Sequence, residues 1–422
     1  MERFEALKKY NFWGGATPHL GYIRTEYTDK IYSYAKSNRL IKVLVGQRRV
    51  GKSYLLRQLA AKLIGDGVAA ENIVFINCEL SEFRFLRSYQ DLSDLIKLYR
   101  SEIHPQGRVY LFLDEVQNID EWELIVNSYS QDYVDEYELF ISGSNSRMLA
   151  GELATLLSGR YISFEIFPFS FEEWAGVEQC ELSRDNYERY MLSGALPELF
   201  ALPDEDTKRN YISSVKDTVL LRDIIQRYNI KDAKLLEDIF IYIINNASNL
   251  LSVRNIANYF KSSGRKSSYE TISTYLRHIE DTHLIHRVDR YNIRGKETIA
   301  GNGKYYANDL SFNNYLYQDF GYGAGYLLEN LIYLDLARKG YAIYVGTIRS
   351  KEVDFVAIKG DKKIYIQVAY QLTERATIER EYSALEGIDD NYEKIVVSAD
   401  SIQLPLKDGI RHVRAWEFLG VI

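Results

Sequence analysis

Through the first third of the chain, short apolar runs alternate with amphipathic stretches. Leu40-Ile-Lys-Val-Leu-Val45, Asn72-Ile-Val-Phe-Ile76, Val109-Tyr-Leu-Phe-Leu113 and Glu138-Leu-Phe-Ile-Ser142 are nearly continuous in apolar residues, as strands buried on both faces of a parallel sheet are. Tyr161-Ile-Ser-Phe-Glu-Ile-Phe167 reads as a fifth strand, and Tyr54 to Ile64 as an amphipathic helix after the first. Beyond Phe167-Pro168 the period becomes helical, with several short helices expected between Tyr187 and Tyr228. Three more helices are predicted over Leu235 to Asn246, Ser252 to Phe260 and Ser267 to Glu280, with Ser252 and Ser267 as caps. In the third, Ile272, Leu276 and Ile279 share an inward face and leave Tyr269, Thr271 and Arg277 toward solvent. Two strand-like pieces, Leu284 to Tyr291 and Lys304 to Ala307, flank the basic loop Asn292 to Gly303, which is the shape of a winged helix. Finally, Gly325-Tyr-Leu-Leu-Glu329-Asn330 opens a helix, followed by strands over Tyr341 to Arg349, Val353 to Lys359 and Lys363 to Tyr370.

The expected architecture is therefore α/β and multidomain: a core with a parallel sheet (1–170), a helical lid (171–230), a winged-helix domain (231–310) and a C-terminal α/β domain (311–422). Composition adds limits. At 46% hydrophobic and 26% charged residues, the chain is neither fibrous nor broadly disordered. It has no apolar run of membrane-spanning length and no basic-then-apolar leader at Met1-Glu-Arg-Phe-Glu5, so a cytoplasmic location without membrane contact is expected. Two cysteines, Cys78 and Cys180, cannot frame a disulfide scaffold or a cysteine zinc site and are expected to be buried thiols. The net charge of −7 argues against a uniformly basic coat for nucleic acid. Asn245 to Lys304 nevertheless holds ten Lys or Arg against five Asp or Glu, a local +5. Lys266 and Arg277 by the third helix, with Arg294, Lys296 and Lys304 on the wing, are the candidate phosphate contacts for DNA. A protein-contact role for the same module stays open.

Chemistry concentrates where the first strand ends. Gly46-Gln-Arg-Arg-Val-Gly51-Lys52-Ser53 has the spacing Gly-x4-Gly-Lys-Ser, a loop that turns backbone N–H groups toward phosphates at a helix N-terminus. Gly46, Gln47, Arg48, Arg49, Val50, Gly51, Lys52, Ser53 and Tyr54 form the expected nucleotide-binding segment; the Arg48 and Arg49 side chains receive no role. Lys52 is expected to reach the β and γ phosphates, and Ser53 to hold a magnesium ion. Hydrolysis further requires a carboxylate near the metal and a base, which Asp114 and Glu115 supply at the end of a buried strand. Asn145, after Ser142-Gly-Ser, is the candidate γ-phosphate sensor or else a turn amide. Arg160, after Leu157-Ser-Gly, is a candidate finger toward a neighbouring subunit or else a surface ion-pair partner. Asn77 is either an ordinary turn residue or a switch touching Glu115. His283 and His286 lack a third metal ligand.

With these residues in view, the chain resembles the AAA-type P-loop ATPases of bacteria and archaea in which an ATPase core precedes a winged helix and a restriction-endonuclease-like domain. The resemblance rests on Gly46 to Ser53, Asp114-Glu-Val-Gln117, Ser142 to Asn145, Leu157 to Arg160, Ser193-Gly-Ala-Leu-Pro-Glu198, Gly325 to Asn330 and Glu352-Val-Asp354. It implies a five-stranded core ordered 5-1-4-3-2, ATP with Mg2+ as cofactors, and a homo-oligomer that grips DNA or a protein client. No Asn-Lys-x-Asp guanine-reading motif stands against that choice of base. It also implies a nuclease-like centre with Asp354 followed by a Glu and, two positions later, a Lys. The sequence instead reads Gln367-Val-Ala369, so cleavage is not expected: a neutral amide is a poor ligand for Mg2+, and alanine carries no charge. The competing readings are a slow ATP-held switch and an ATP-driven metal nuclease.

Overall fold

The computed structural model describes residues 2–15, 18–144, 157, 159–265, 267–317 and 323–422. It separates into two compact units, Met1–Ile166 and Phe167–Ile422.

In the first unit, β1 (Ile41–Val45), β2 (Ile73–Asn77), β3 (Val109–Asp114), β4 (Tyr137–Ser142) and β5 (Tyr161–Glu165) form one parallel sheet ordered β2-β3-β4-β1-β5. This is the order implied by the resemblance. Every residue of β1 and β4 is buried, which explains why both lack polar alternation. The exceptions, Lys42 and Glu138, neutralise each other inside the sheet, and Arg108 joins them at 3.2 Å. The helices are α1 (Glu2–Tyr10), α2 (Thr25–Ser37), α3 (Lys52–Gly65), α4 (Tyr89–Ile103) and α5 (Trp122–Ser130). Leu92, Leu95, Ile96 and Tyr99 of α4 and Ile125 and Val126 of α5 close an apolar core against the sheet. Each such side chain withdrawn from water contributes about 1.5–3 kcal/mol. Because all five strands run the same way, their carboxyl ends line one edge, where Gly46, Asn77, Asp114 and Ser142 gather.

The second unit holds α6 (Phe171–Glu178), α7 (Arg184–Ser193), α8 (Glu205–Thr218) continuing into a π-helical turn (Val219–Gln226), α9 (Ala233–Asn245), α10 (Val253–Ser262), α11 (Tyr269–Asp281), α12 (Ala324–Arg338) and α13 (Arg375–Glu386). Its sheet has eight strands ordered β13-β12-β11-β10-β9-β7-β8-β6. The strands are β6 (Leu250–Leu251), β7 (Ile285–Asn292), β8 (Glu297–Ala307), β9 (Ala342–Ile348), β10 (Lys351–Lys359), β11 (Lys362–Ala369), β12 (Glu393–Ser398) and β13 (Ile410–Arg414). Ser252 caps α10 as expected, but α11 is capped by Ser268, whose hydroxyl accepts from Thr271 N–H at 3.1 Å, and not by Ser267. Ile272, Leu276 and Ile279 are buried, and Tyr269 and Arg277 exposed. The loop expected over 292–303 is mostly strand: β8 begins at Glu297, leaving a turn at 293–296.

The expected border at 310 falls inside this continuous sheet. β7 pairs in parallel with β9 through Arg290↔Val345, Tyr291↔Gly346 and Asn292↔Thr347, so hydrogen bonds join the 285–307 hairpin to the C-terminal strands. The turn Ser193-Gly-Ala is fixed just as tightly. Gly194 has φ 72°, a Cβ there would sit 2.7 Å from Asp309 Oδ1, and the other Asp309 oxygen accepts from Ala195 N–H at 2.8 Å.

Candidate functional site: a phosphate loop facing an acidic pair

The loop after β1 is shaped by two glycines. Gly46 lies at φ 143°, and a Cβ on it would stand 2.4 Å from the Ile166 carbonyl oxygen, so no larger residue fits. Gly51, at φ 95°, is the N-cap of α3 and has no side chain with which to cap the first N–H groups of that helix. Lys52 is 5% exposed and donates to the carbonyl oxygens of Gly46 at 2.8 Å and Gln47 at 3.0 Å. Its ammonium is thus held over the mouth of the loop. Val50 O accepts from buried Arg24 at 3.1 Å, and Gln58 of α3 holds Leu20 O and Tyr22 O, each at 2.7 Å. The segment before α2 is thereby strapped alongside the loop. Tyr54 packs edge-on against His19, with the Arg57 guanidinium over its ring. Arg48 pairs with Glu79 at 3.3 Å.

The acidic pair ends β3. Asp114 is fully buried and meets neutral donors: Ser142 Oγ at 2.5 Å, Asn77 Nδ2 at 2.9 Å and the Ser53 hydroxyl. Burial first and the neighbouring Glu115 charge second push its carboxyl up to about 6, against the pull of Ser142, Ser53 and Lys52. Glu115 takes a left-handed backbone at φ 54°, and its N–H donates to the same Ser142 hydroxyl at 3.0 Å. The Glu115 carboxylate accepts from the Gln117 amide, which also lies 3.5 Å from Ser144 Oγ. The Cys78 thiol is buried beside the pair, and burial pushes its pKa up. Lys52, Ser53, Asp114 and Glu115 therefore share one sheet edge.

One expectation changes. Asn77 reaches Asp114 rather than Glu115 because Asn77 and Asp114 are cross-strand partners in register, which aims the amide at the aspartate. Arg160 is exposed and donates to Asn127 Oδ1 of its own unit at 2.9 Å. Asn145 and Lys266 lie outside the described residues. Ser142 and Gln117 had no individual role in the sequence reading. Their signal was position, at the end of a buried strand and two residues past the acidic pair.

The second unit contains another lysine–carboxylate cluster. Lys304, expected on the wing surface, is 3% exposed. Its ammonium pairs with Glu329 at 2.8 Å, Glu352 at 2.8 Å and Asp354 at 3.6 Å. Residues 303–307 of β8 are all buried, and Lys304, opposite Val288 on β7, points to the same interior as Tyr306, whose hydroxyl donates to Glu329 at 2.7 Å. Asp354 accepts from Val368 N–H at 2.8 Å, and burial raises its carboxyl to about 8. Gln367 accepts from Asp354 N–H at 3.3 Å and donates to Glu381 at 2.8 Å. Glu329 sits within α12 as an ion-pair partner of Lys304. His286 lies 3.1 Å from Asn308, and among the described residues no group of three or more His, Cys, Asp or Glu is arranged to hold a metal ion. Cys180 is half-buried, not fully buried as expected. No helix among the described residues is long and apolar enough to cross a membrane.

Comparison with known proteins places this geometry. Residues 38–175 match the family model described as an AAA domain, and residues 184–321 match a domain of unknown function, DUF8612. A protein of Haemophilus influenzae is 33% identical over 400 residues, covering 94% of this chain and 98% of its own length. A Methanocaldococcus jannaschii protein, MJ1544, is 33% identical over 365 residues, covering 82% of this chain and 78% of its own. Both are described as uncharacterized. Among solved structures, the Thermotoga maritima RuvB Holliday junction branch migration motor aligns at 18% identity and TM-score 0.33, covering 63% of this chain and 90% of that one. The Aeropyrum pernix ORC1 protein in complex with DNA aligns at 12% and 0.31, covering 75% and 96%. Scores this low carry no functional argument. The chain belongs to the family of the Haemophilus influenzae and Methanocaldococcus jannaschii proteins, and its residues 38–175 are an AAA-type P-loop ATPase domain.

Proposed function

We propose that this protein binds and hydrolyses ATP with Mg2+ and that nucleotide state governs its grip on DNA through the 231–310 module. The observation that carries the reading is the convergence of Lys52, Ser53, Asp114 and Glu115 on one sheet edge, with the Ser53 hydroxyl bonded to Asp114. Hard oxygen donors suit Mg2+, and a cation would relieve both the burial and the neighbouring Glu115 charge that raise the Asp114 carboxyl. Ser53 and Asp114 would hold the ion, which neutralises charge on the phosphates when bound. Lys52 exchanges its loop carbonyls for phosphate oxygens. The loop and first-turn N–H groups of α3 cradle the anion. Glu115 orients and deprotonates the attacking water, with Ser142 fixing its backbone. Asn145 as γ-phosphate sensor and Arg160 as a finger in a homo-oligomer complete the proposal.

For DNA, support comes from exposed Tyr269 and Arg277 on α11 and exposed Arg294 and Lys296 at the wing turn. Lys304 is withdrawn from that set. ATP turnover measured with and without duplex DNA, alongside solution mass, tests the coupling; turnover indifferent to DNA sinks it. One observation favours the second reading, a slow ATP-held switch: the Gln117 amide engages the carboxylate that would act as base. Faster turnover in Gln117→Ala would support it. Against the metal-nuclease reading, the Lys304 ammonium occupies the space between the carboxylates on which such a centre depends.

A further inference from the structure

Strands β7 and β9 run in parallel, so both end at the same edge of the eight-stranded sheet and their following turns lie side by side. Ile293 N–H donates to Thr347 O at 3.0 Å and zips the two turns together. Between them opens a groove of about 530 Å³ lined by Asn292, Arg294, Gly295, Ile299, Thr347 and Arg349. Two of these six residues are arginines and none is acidic. Arg294 and Arg349 are exposed. Beside the groove, Arg290 donates to Thr347 Oγ1 at 3.0 Å, while its Nε is shielded from solvent with no hydrogen-bond partner among the described residues. Of the nearby carboxylates, Glu352 is the cross-strand partner of Thr347 but pairs with Lys304, and Glu297 accepts from the Asn292 amide at 3.5 Å.

We propose that this groove binds the phosphodiester backbone of nucleic acid, continuing the footprint of the wing onto the C-terminal strands. The inference rests on the DNA reading above and extends it to a residue, Arg349, that belongs to neither the wing nor α11. Guanidinium groups present forked donors that match phosphate oxygens two at a time. The lining offers one aliphatic side chain, Ile299, too little to seat an apolar peptide. Cross-strand partners share a face, so Thr347 and the Lys304–Glu352 pair look the same way. A backbone laid in the groove then passes a centre whose carboxylates are engaged by the Lys304 ammonium, and is held without being cut.

The test is anisotropy of a fluorescent DNA duplex and of its single strand, titrated over a salt series with the full chain. Arg349 lies in the left-handed region at φ 54°, which Asn tolerates, so Arg349→Asn is the informative variant and Arg349→Lys its charge-keeping control. Expected are weaker binding by Arg349→Asn across unrelated sequences, a log–log salt slope lower by about one, and substantial recovery with Lys. In Arg294→Ala/Arg349→Asn the slope falls by about two. Unchanged melting curves establish that the variants fold. Wild-type affinity in Arg349→Asn alongside weakened binding in Arg277→Ala overturns the groove and leaves the DNA reading standing. Absence of DNA binding by the wild type overturns both. Arg349-dependent binding of polyglutamate without any effect on DNA would assign the groove to an acidic protein instead.

Discussion

Each unit of this protein buries a lysine beside a cluster of carboxylates, and the two arrangements solve the charge problem in opposite ways. In the first, Lys52 rests on the carbonyls of Gly46 and Gln47 while Asp114 is steadied by the neutral hydroxyls of Ser142 and Ser53 and the amide of Asn77. Those neutral groups hold the Asp114 carboxylate at the edge of the loop, where a bound cation would answer it. In the second, Lys304 pairs directly with Glu329, Glu352 and Asp354. There the ammonium has already met its counter-charges within the chain. Acidic residues near a lysine therefore do not define a reactive centre; whether the opposite charges have already met decides it.

The largest effects should come from breaking the open site. Lys52→Ala is expected to abolish nucleotide binding, read by calorimetry with Mg2+-ATP. Glu115→Gln should retain binding and lower turnover by about 10²–10⁴-fold, the usual contribution of a general base. Undiminished turnover would remove Glu115 from the base role. Next in size is the closed site. Lys304→Ala leaves buried carboxylates without their partner and should cost about 3–5 kcal/mol in denaturant unfolding. Lys304→Met combined with Glu329→Gln should cost much less than the sum of the single changes, since the pair is lost together. Additive losses would show that the lysine and glutamate do not act as a unit.

The two clusters also differ in how far the sequence reveals them. The phosphate loop is contiguous, and its glycines, lysine and serine are fixed by local geometry, so Gly46 to Ser53 and the acidic pair after a buried strand are legible directly. The five strands are legible as well, because burial on both faces removes their polar residues. Lys304 is not. Its partners lie 25 to 50 positions away, and the pairing of β7 with β8 places residue 304 in the buried stretch 303–307 of β8. As a lysine in a basic loop it reads as a surface charge. Ser268 is missed as a cap for a smaller reason: two adjacent serines satisfy the same sequence rule, and the helix begins one residue later than the pattern indicates. The joining of the hairpin to the C-terminal strands is hidden too, since nothing local in 290–292 announces 345–347.

A finer consequence concerns pH. The Asp354 carboxyl is pushed up to about 8, burial being the first cause and the Glu329 charge the second, with Lys304 opposing. Burial raises the Glu329 carboxyl as well, and the two face one ammonium that stays charged throughout, its own pKa lying above the ordinary lysine value. An acid held above its unfolded value near 3.9 binds a proton in the folded chain that the unfolded chain has released. Its contribution to stability is therefore greatest at low pH and declines from about 4 until the folded carboxyl ionises near 8. Asp354→Asn removes that titration while keeping an acceptor for the Val368 N–H. Other acids of this unit, buried Asp335 and half-buried Glu280, are raised to about 7, so the wild-type curve alone is ambiguous. The difference between wild type and Asp354→Asn isolates the one group. Unfolding free energies measured from pH 4 to 9 should show the variant gaining on the wild type as pH rises and levelling off above about 8. Parallel curves would mean that Asp354 ionises as readily folded as unfolded, with Lys304 compensating it in full.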